Sequence, residues 1–211
     1  MNNSNQTIYI VDDDPSIRKS LGRLLKSTGY EVELFGSARE FLQADTICEG
    51  PSCLVLDMKM PELSGFELQE ELNKKGYSLP IVFVTGHGDI PMGVKAMKNG
   101  AVDFLTKPFD ETDLLIAVQD AFSRDSKNRK IMDERSTILK KIDSLTPREY
   151  EIMTYVITGM LNKQIAYDLN ISEKTVKVHR GRVMEKMGVD SVAQLVRLAD
   201  KVGVQPADIS E

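Results

Sequence analysis

The chain has 211 residues, 41% of them hydrophobic and 28% charged, and a formal net charge of −5. That length suits one large domain or two small ones, and the acidic balance argues against a generic nucleic-acid coat while leaving room for a local basic face. Met1–Gln6 is polar and no stretch approaches the roughly 20 apolar residues of a membrane span, so a cytoplasmic protein without membrane contact is expected.

In chain order, apolar runs alternate with amphipathic stretches as far as residue 122. Strands are predicted at Thr7–Val11, Val32–Phe35, Cys53–Asp57, Ile81–Thr85 and Phe104–Thr106. Helix patterns fall near Pro15–Thr28, Ser37–Ala44, Gly65–Lys75, Pro91–Asn99 and Asp110–Phe122. Such alternation implies parallel strand pairing with helices on both faces. Leu54–Leu56 and Ile81–Val84 are continuously apolar, as doubly covered strands should be. Cys48 and Cys53 have no histidine nearby and form neither a disulfide framework nor a zinc site, so Cys53 reads as a core residue.

From Ser123 to Ile142 the chain is polar and charged, without glycine or proline. Ile131, Ile138, Leu139 and Ile142 recur at helical spacing, which predicts that the preceding helix continues as a connector. A second unit opens at Leu145, where Thr146-Pro147-Arg148-Glu149 carries the capping threonine, first-turn proline and glutamate of a helix start. Helix patterns follow at Pro147–Thr158, Asn162–Leu169, Glu173–Met187 and Ser191–Val202. The expected division is 1–122, a helical linker 123–143, and 144–211. The first segment holds 11 basic and 19 acidic residues, the linker 7 and 4, and the last 9 of each.

In an open parallel sheet, ligands bind beyond the carboxyl ends of the strands. Here those ends carry Asp12, Asp13 and Asp14, then Asp57, then Thr85, then Lys107-Pro108. Asp14, before Pro15, reads as a helix cap. Gathered carboxylates repel and lose hydration, penalties that a hard divalent cation removes. Asp57, on the central strand of a 2-1-3-4-5 sheet, is then placed to attack a phosphoryl group, with Lys107 and metal neutralising its oxygens.

The stretches IYIVDDD, CLVLDMKMPELSGFEL, IVFVTGHGDIPM and GAVDFLTKPF resemble the receiver domain of two-component response regulators. The resemblance implies a flavodoxin-like α/β fold with Asp57 as phosphoacceptor. It implies Mg²⁺ held by Asp12, Asp13, Asp57 and the backbone carbonyl of Lys59, and phosphoryl contacts from Thr85 and Lys107. Phe104 stands where the family has an aromatic that turns inward with the threonine. His87 and the Lys59 side chain flank the site as tuning positions, and Met60-Pro61 and Gly65 shape the loop after Asp57.

Residues 172–187 read SEKTVKVHRGRVMEKM, and 173–187 hold five basic against two acidic residues. With Val176, Val183 and Met187 facing a core, Lys174, Lys177, His179, Arg180, Arg182 and Lys186 cover the remainder, which suits the DNA major groove. The stretches LTPREYEIM, GMLNKQIAYDLNISEKTVKVHRGRVMEKMGV and SVAQLVRLA resemble the all-α helix-turn-helix module of the FixJ/NarL/LuxR regulators, closest to the FixJ/StyR branch. By that resemblance Lys177 and Val178 read the groove, with Arg180 and Arg182 near bases or backbone. Lys174, Thr175, His179, Lys163 and Asn162 are further candidate contacts. A position that is often basic in the family is Gly181 here. A non-enzymatic transcription regulator is expected, taking its phosphoryl group from a sensor histidine kinase. It would pass from monomer to homodimer on phosphorylation, bind double-stranded promoter DNA and engage RNA polymerase, chiefly as an activator. A small-molecule phosphatase is disfavoured because the tight loops leave no room for a substrate cap.

Overall fold

A computed structural model describes residues 6–44, 50–86 and 90–208. His87 and Cys48 lie outside the described residues. The chain divides into two compact units, Met1–Arg129 and Lys130–Glu211.

The first unit holds β1 (Thr7–Val11), β2 (Glu31–Phe35), β3 (Ser52–Asp57), β4 (Ile81–Thr85) and β5 (Asp103–Thr106), all parallel in the order β2-β1-β3-β4-β5. Between them run α1 (Pro15–Ser27), α2 (Ala38–Gln43), α3 (Gly65–Lys74) and α4 (Ile90–Lys98), and α5 (Glu111–Asp143) follows β5. Every residue of β1, β3 and β4 is buried, because alternate side chains enter two different cores. Tyr9, Val11, Leu54, Leu56 and Phe83 pack with Phe41, Leu68, Leu72 and Ala96 of α2–α4. Ile8, Ile10, Val55, Val82 and Val84 pack with Leu21 and Leu25 of α1 and Leu114, Val118 and Phe122 of α5. Helix starts are fixed chemically: Asp14 accepts from the amides of Ser16 and Ile17, and Ser64 and Glu67 form a capping box on α3.

Residues 111–143 form a single helix, and the compact units divide inside it, between Arg129 and Lys130. Two groups of contacts account for that division. Asp125, 3% exposed, accepts from the Ser52 amide at 3.0 Å and Arg129 Nε at 2.6 Å, which ties α5 to the start of β3. Arg129 Nη2 also donates to Ser52 Oγ at 3.2 Å. Farther along, Ile138 is buried in the other unit's core, while Ile131 and Leu139 stay exposed.

That second unit holds α6 (Pro147–Val156), α7 (Asn162–Asp168), α8 (Glu173–Met187) and α9 (Val192–Val202). Ile152, Met153, Val156, Ile165, Val176, Val183, Met187 and Leu195 form its centre. The end of α5 supplies cations to the carboxyl ends of two of these helices, where free carbonyls and the helix dipole favour positive charge. Lys141 Nζ donates to Met187 O at 2.9 Å, and Arg135 Nη1 to Lys201 O at 2.8 Å. Ile138→Ala is therefore expected to destabilise this unit by about 2–5 kcal/mol, the usual range for truncating a fully buried aliphatic side chain. Chemical denaturation followed by circular dichroism checks the value, and a loss under about 1 kcal/mol would mean the α5 contact is dispensable.

Candidate functional site

The carboxyl edge of the sheet gathers the first site. β1 delivers Asp12, β3 ends in Asp57, β4 ends in Thr85, and the turn after β5 delivers Lys107. Asp12, Asp57 and Thr85 are 2%, 7% and 1% exposed. Lys107 Nζ lies 2.8 Å from Asp12 Oδ2 and 3.1 Å from Asp57 Oδ1, so one ammonium binds both carboxylates. The Lys107 amide donates to Thr85 O at 2.8 Å, which holds the turn against the end of β4. The Lys59 amide donates to Asp57 Oδ2 at 2.8 Å, and the Asp14 amide donates to Asp12 Oδ1 at 2.9 Å.

Burial pushes the Asp57 carboxyl above its ordinary range, Lys107 opposes that rise, and the neighbouring charge of Asp12 adds to it. For Lys107 burial works downward, but its bonds to Asp12 and Asp57 prevail and raise it, so the ammonium stays charged. Two buried carboxylates on one ammonium leave an excess of negative charge. That donor set suits Mg²⁺, which takes one or two carboxylates and keeps several waters. Asp13 is exposed, and among the described residues no three acidic, histidine or cysteine side chains converge on one point. The structure therefore brings together Asp12, Asp57, Thr85 and Lys107, with Asp13 exposed next to Asp12 in the chain.

Lys107→Met removes the ammonium that these carboxylates share. A loss of about 3 kcal/mol is expected in metal-free protein, as for breaking other buried ion pairs. Part of it should return when MgCl₂ is added. Thermal melts with and without Mg²⁺ test this, and equal melting points for variant and wild type would refute it.

Gly65 shapes the approach to Asp57. A Cβ at this position would stand 2.5 Å from the Asp57 carbonyl oxygen, so only glycine lets α3 begin so close. Phe104 is half-buried, and its ring lies against α4 at Gly93, where an added Cβ would meet the ring at 3.3 Å. A groove between α1 and the start of α5 is lined by Ile17, Leu21, Leu24, Lys107, Phe109 and Glu111.

The second site lies on α8, whose start is capped by Ser172 accepting from the Thr175 amide. Val176, Val183 and Met187 are buried, while Lys174, Lys177, Val178, Gly181 and Arg182 are exposed. The remaining candidates divide. Arg180 is half-buried and donates to Asn162 Oδ1 at 2.8 Å, which fixes its guanidinium against α7. Thr175 Oγ1 lies 2.7 Å from Ser172 Oγ within the cap. His179 is half-buried, and its Nδ1 is closed off from solvent with no hydrogen-bond partner among the described residues. Lys163 is exposed on α7. Lys186, which by composition belongs to the basic surface, is exposed, but its ammonium is engaged within the unit. It donates to Ser144 O at 2.9 Å and to Glu149 Oε2 at 2.6 Å. That bond from Lys186, aided by the Thr146 amide, holds the Glu149 carboxyl down at about 2.

Composition concealed two features. The Ser52–Asp125–Arg129 clamp sits inside a run that reads as linker, and only the i,i+4 spacing of Asp125 and Arg129 hinted at it. The Asn162–Arg180 bond joins residues 18 apart, with no local signal.

Comparison with known proteins agrees with both halves. Residues 8–119 match the response regulator receiver domain and residues 143–199 match the luxR family of bacterial regulatory proteins. Nodulation protein W of Bradyrhizobium diazoefficiens is 48% identical over 197 residues, covering 93% of this chain and 86% of that protein. The transcriptional regulatory protein FixJ of Azorhizobium caulinodans is 43% identical over 201 residues, covering 95% of each. Among solved structures, the response regulator StyR matches with a TM-score of 0.81 at 47% identity, covering 93% of this chain and 99% of that one.

Proposed function

The chain belongs to the two-component response regulators that join a receiver domain to a LuxR-type helix-turn-helix domain, and from that membership we propose that Asp57 is its phosphoacceptor and α8 its DNA reader. The observation that carries this reading is Lys107 Nζ bridging Asp12 and Asp57 at the carboxyl edge of the sheet.

In the proposed transfer, Asp57 Oδ attacks the phosphorus of a phosphohistidine on a sensor kinase. The P–N bond breaks, a P–O bond forms, and the imidazole, already protonated on its other ring nitrogen, leaves as the neutral ring. The groove lined by Lys107 offers the donor an approach. Lys107 binds the transferred oxygens and stabilises their charge, so positioning and electrostatics do most of the work. Asp12, Asp13, Asp57 and the Lys59 carbonyl would hold Mg²⁺. When bound, Mg²⁺ supplies positive charge to the phosphoryl oxygens.

Phosphorylation is then read out through Thr85 and Phe104. The threonine turns toward the phosphoryl group, and the half-buried ring follows inward against α4. The neighbouring surface carries exposed Val94, Met97 and Ile116, apolar side chains that a second copy of the receiver would cover. Dimerisation of this kind would present two α8 helices to two half-sites of promoter DNA, and bound dimers would recruit RNA polymerase. The contacts of Ile138, Lys141 and Arg135 support a DNA-binding unit that begins near Lys130, with residues 130–143 included in it.

Footprinting on promoter fragments with and without acetyl phosphate tests the whole reading. Protection that strengthens with the phosphodonor, together with a monomer-to-dimer shift in sedimentation, is the expected result. Equal protection in both conditions would refute phosphorylation control.

A further inference from the structure

α8 contains a glycine that the fold does not need. Gly181 sits in the middle of a 15-residue helix, where glycine is a poor choice because it leaves the backbone unrestrained. Interior glycines are usually forced by left-handed backbone or by a close neighbour. Neither applies: its backbone is helical, and a Cβ built there meets nothing within 4 Å. The space is empty within the molecule, so any reason for keeping it free lies outside the molecule.

The surroundings indicate what enters that space. At 100° per residue, Lys174, Val178 and Gly181 fall on the side of α8 opposite buried Val176, Val183 and Met187. Val178 is 47% exposed and one turn before Gly181, so the two make a shallow apolar notch. Exposed Lys177 and Arg182 flank it on either side, and exposed Glu185 stands one turn beyond Gly181 on the same face. An apolar notch with a cation on each side matches a major-groove edge bearing a methyl group. In duplex DNA that group is the C5-methyl of thymine.

We propose that Gly181 is a specificity-determining residue: its missing side chain, beside Val178, admits a thymine methyl at one fixed position of each half-site. This rests on α8 being the DNA reader, and the test separates the two claims. Duplexes are selected from a random pool with the full chain and acetyl phosphate. Each thymine of the winning half-site is then replaced by uracil, which removes only the methyl.

Wild type should lose affinity about four-fold at one such position, the worth of one buried methyl. Gly181→Ala should raise the melting point of the DNA-binding unit by about 4 °C or more, because alanine is the better helix former. The same variant should bind the thymine duplex at least ten-fold more weakly and be indifferent to the uracil replacement. Unchanged binding by Gly181→Ala, or loss that is uniform over all sequences with no uracil effect, overturns the thymine notch. Arg182→Ala is the control for α8 itself. If it binds like wild type, or if the pool yields no enriched sequence, the assignment of α8 fails and the notch fails with it.

Discussion

Asp57→Asn is expected to abolish phosphoryl uptake from acetyl phosphate and, with it, any gain in DNA binding. The amide keeps the shape of the pocket but has no nucleophilic oxygen of comparable basicity, and it weakens the hold on a cation. A phosphoprotein gel and a footprint read the two losses separately. Label retained by the variant would move the acceptor elsewhere.

The same substitution should stabilise the metal-free protein at neutral pH, for a reason visible in the geometry. Burial raises the Asp57 carboxyl above its ordinary range, so the folded chain binds that proton more tightly than the unfolded chain does. Its favourable contribution is complete below the ordinary carboxylate range and disappears as pH rises through the raised folded value. Asparagine escapes that loss. The variant should therefore melt above wild type at neutral pH, and the two should converge under acid conditions. Melts across the pH range without Mg²⁺ decide it, and a variant that melts lower at neutral pH would contradict the assignment.

The other large effect is expected at Arg182, when it is compared with Lys186. Both are basic residues of α8, and composition counts them alike. Arg182 is exposed on the outward side. Arg182→Ala should weaken binding to a selected duplex ten-fold or more, and the salt dependence should lose about one charge if the contact is to phosphate. Its melting point should stay put. Lys186→Ala should do the reverse at the level of the fold, because it leaves the 2%-exposed Glu149 carboxylate without its cation. A matched pair of melts and titrations separates reader from brace. If Arg182→Ala binds DNA like wild type, α8 is not the reader.

These cases show where sequence sufficed. Strands ending in Asp57 and Thr85 were legible because a strand buried on both faces is apolar throughout, and its first polar residue marks the sheet edge. Caps at Asp14 and Thr146 were legible because their partners lie within three residues. Lys186 was not, because its partner Glu149 is 37 residues away. The clustering of Asp12 with Asp57 was legible from topology, yet the exposure of Asp13 was not, since adjacent residues at a strand end leave in different directions. The limits of the connector were hidden for a similar reason. Residues 123–143 look like one polar connector with a thin apolar stripe, and only packing reveals that Asp125 is buried against the start of β3 and Ile138 in the core of the second unit.

The 2.5 Å approach of a would-be side chain at Gly65 to the Asp57 carbonyl has a consequence for how such sequences can drift. Glycine at this point is fixed by its distance from the acceptor, and so is the number of residues between them. Insertions or deletions in 58–64 would move the glycine off that carbonyl and bring a bulkier neighbour onto it. Among relatives with a working acceptor, the loop should keep its length even where its letters change.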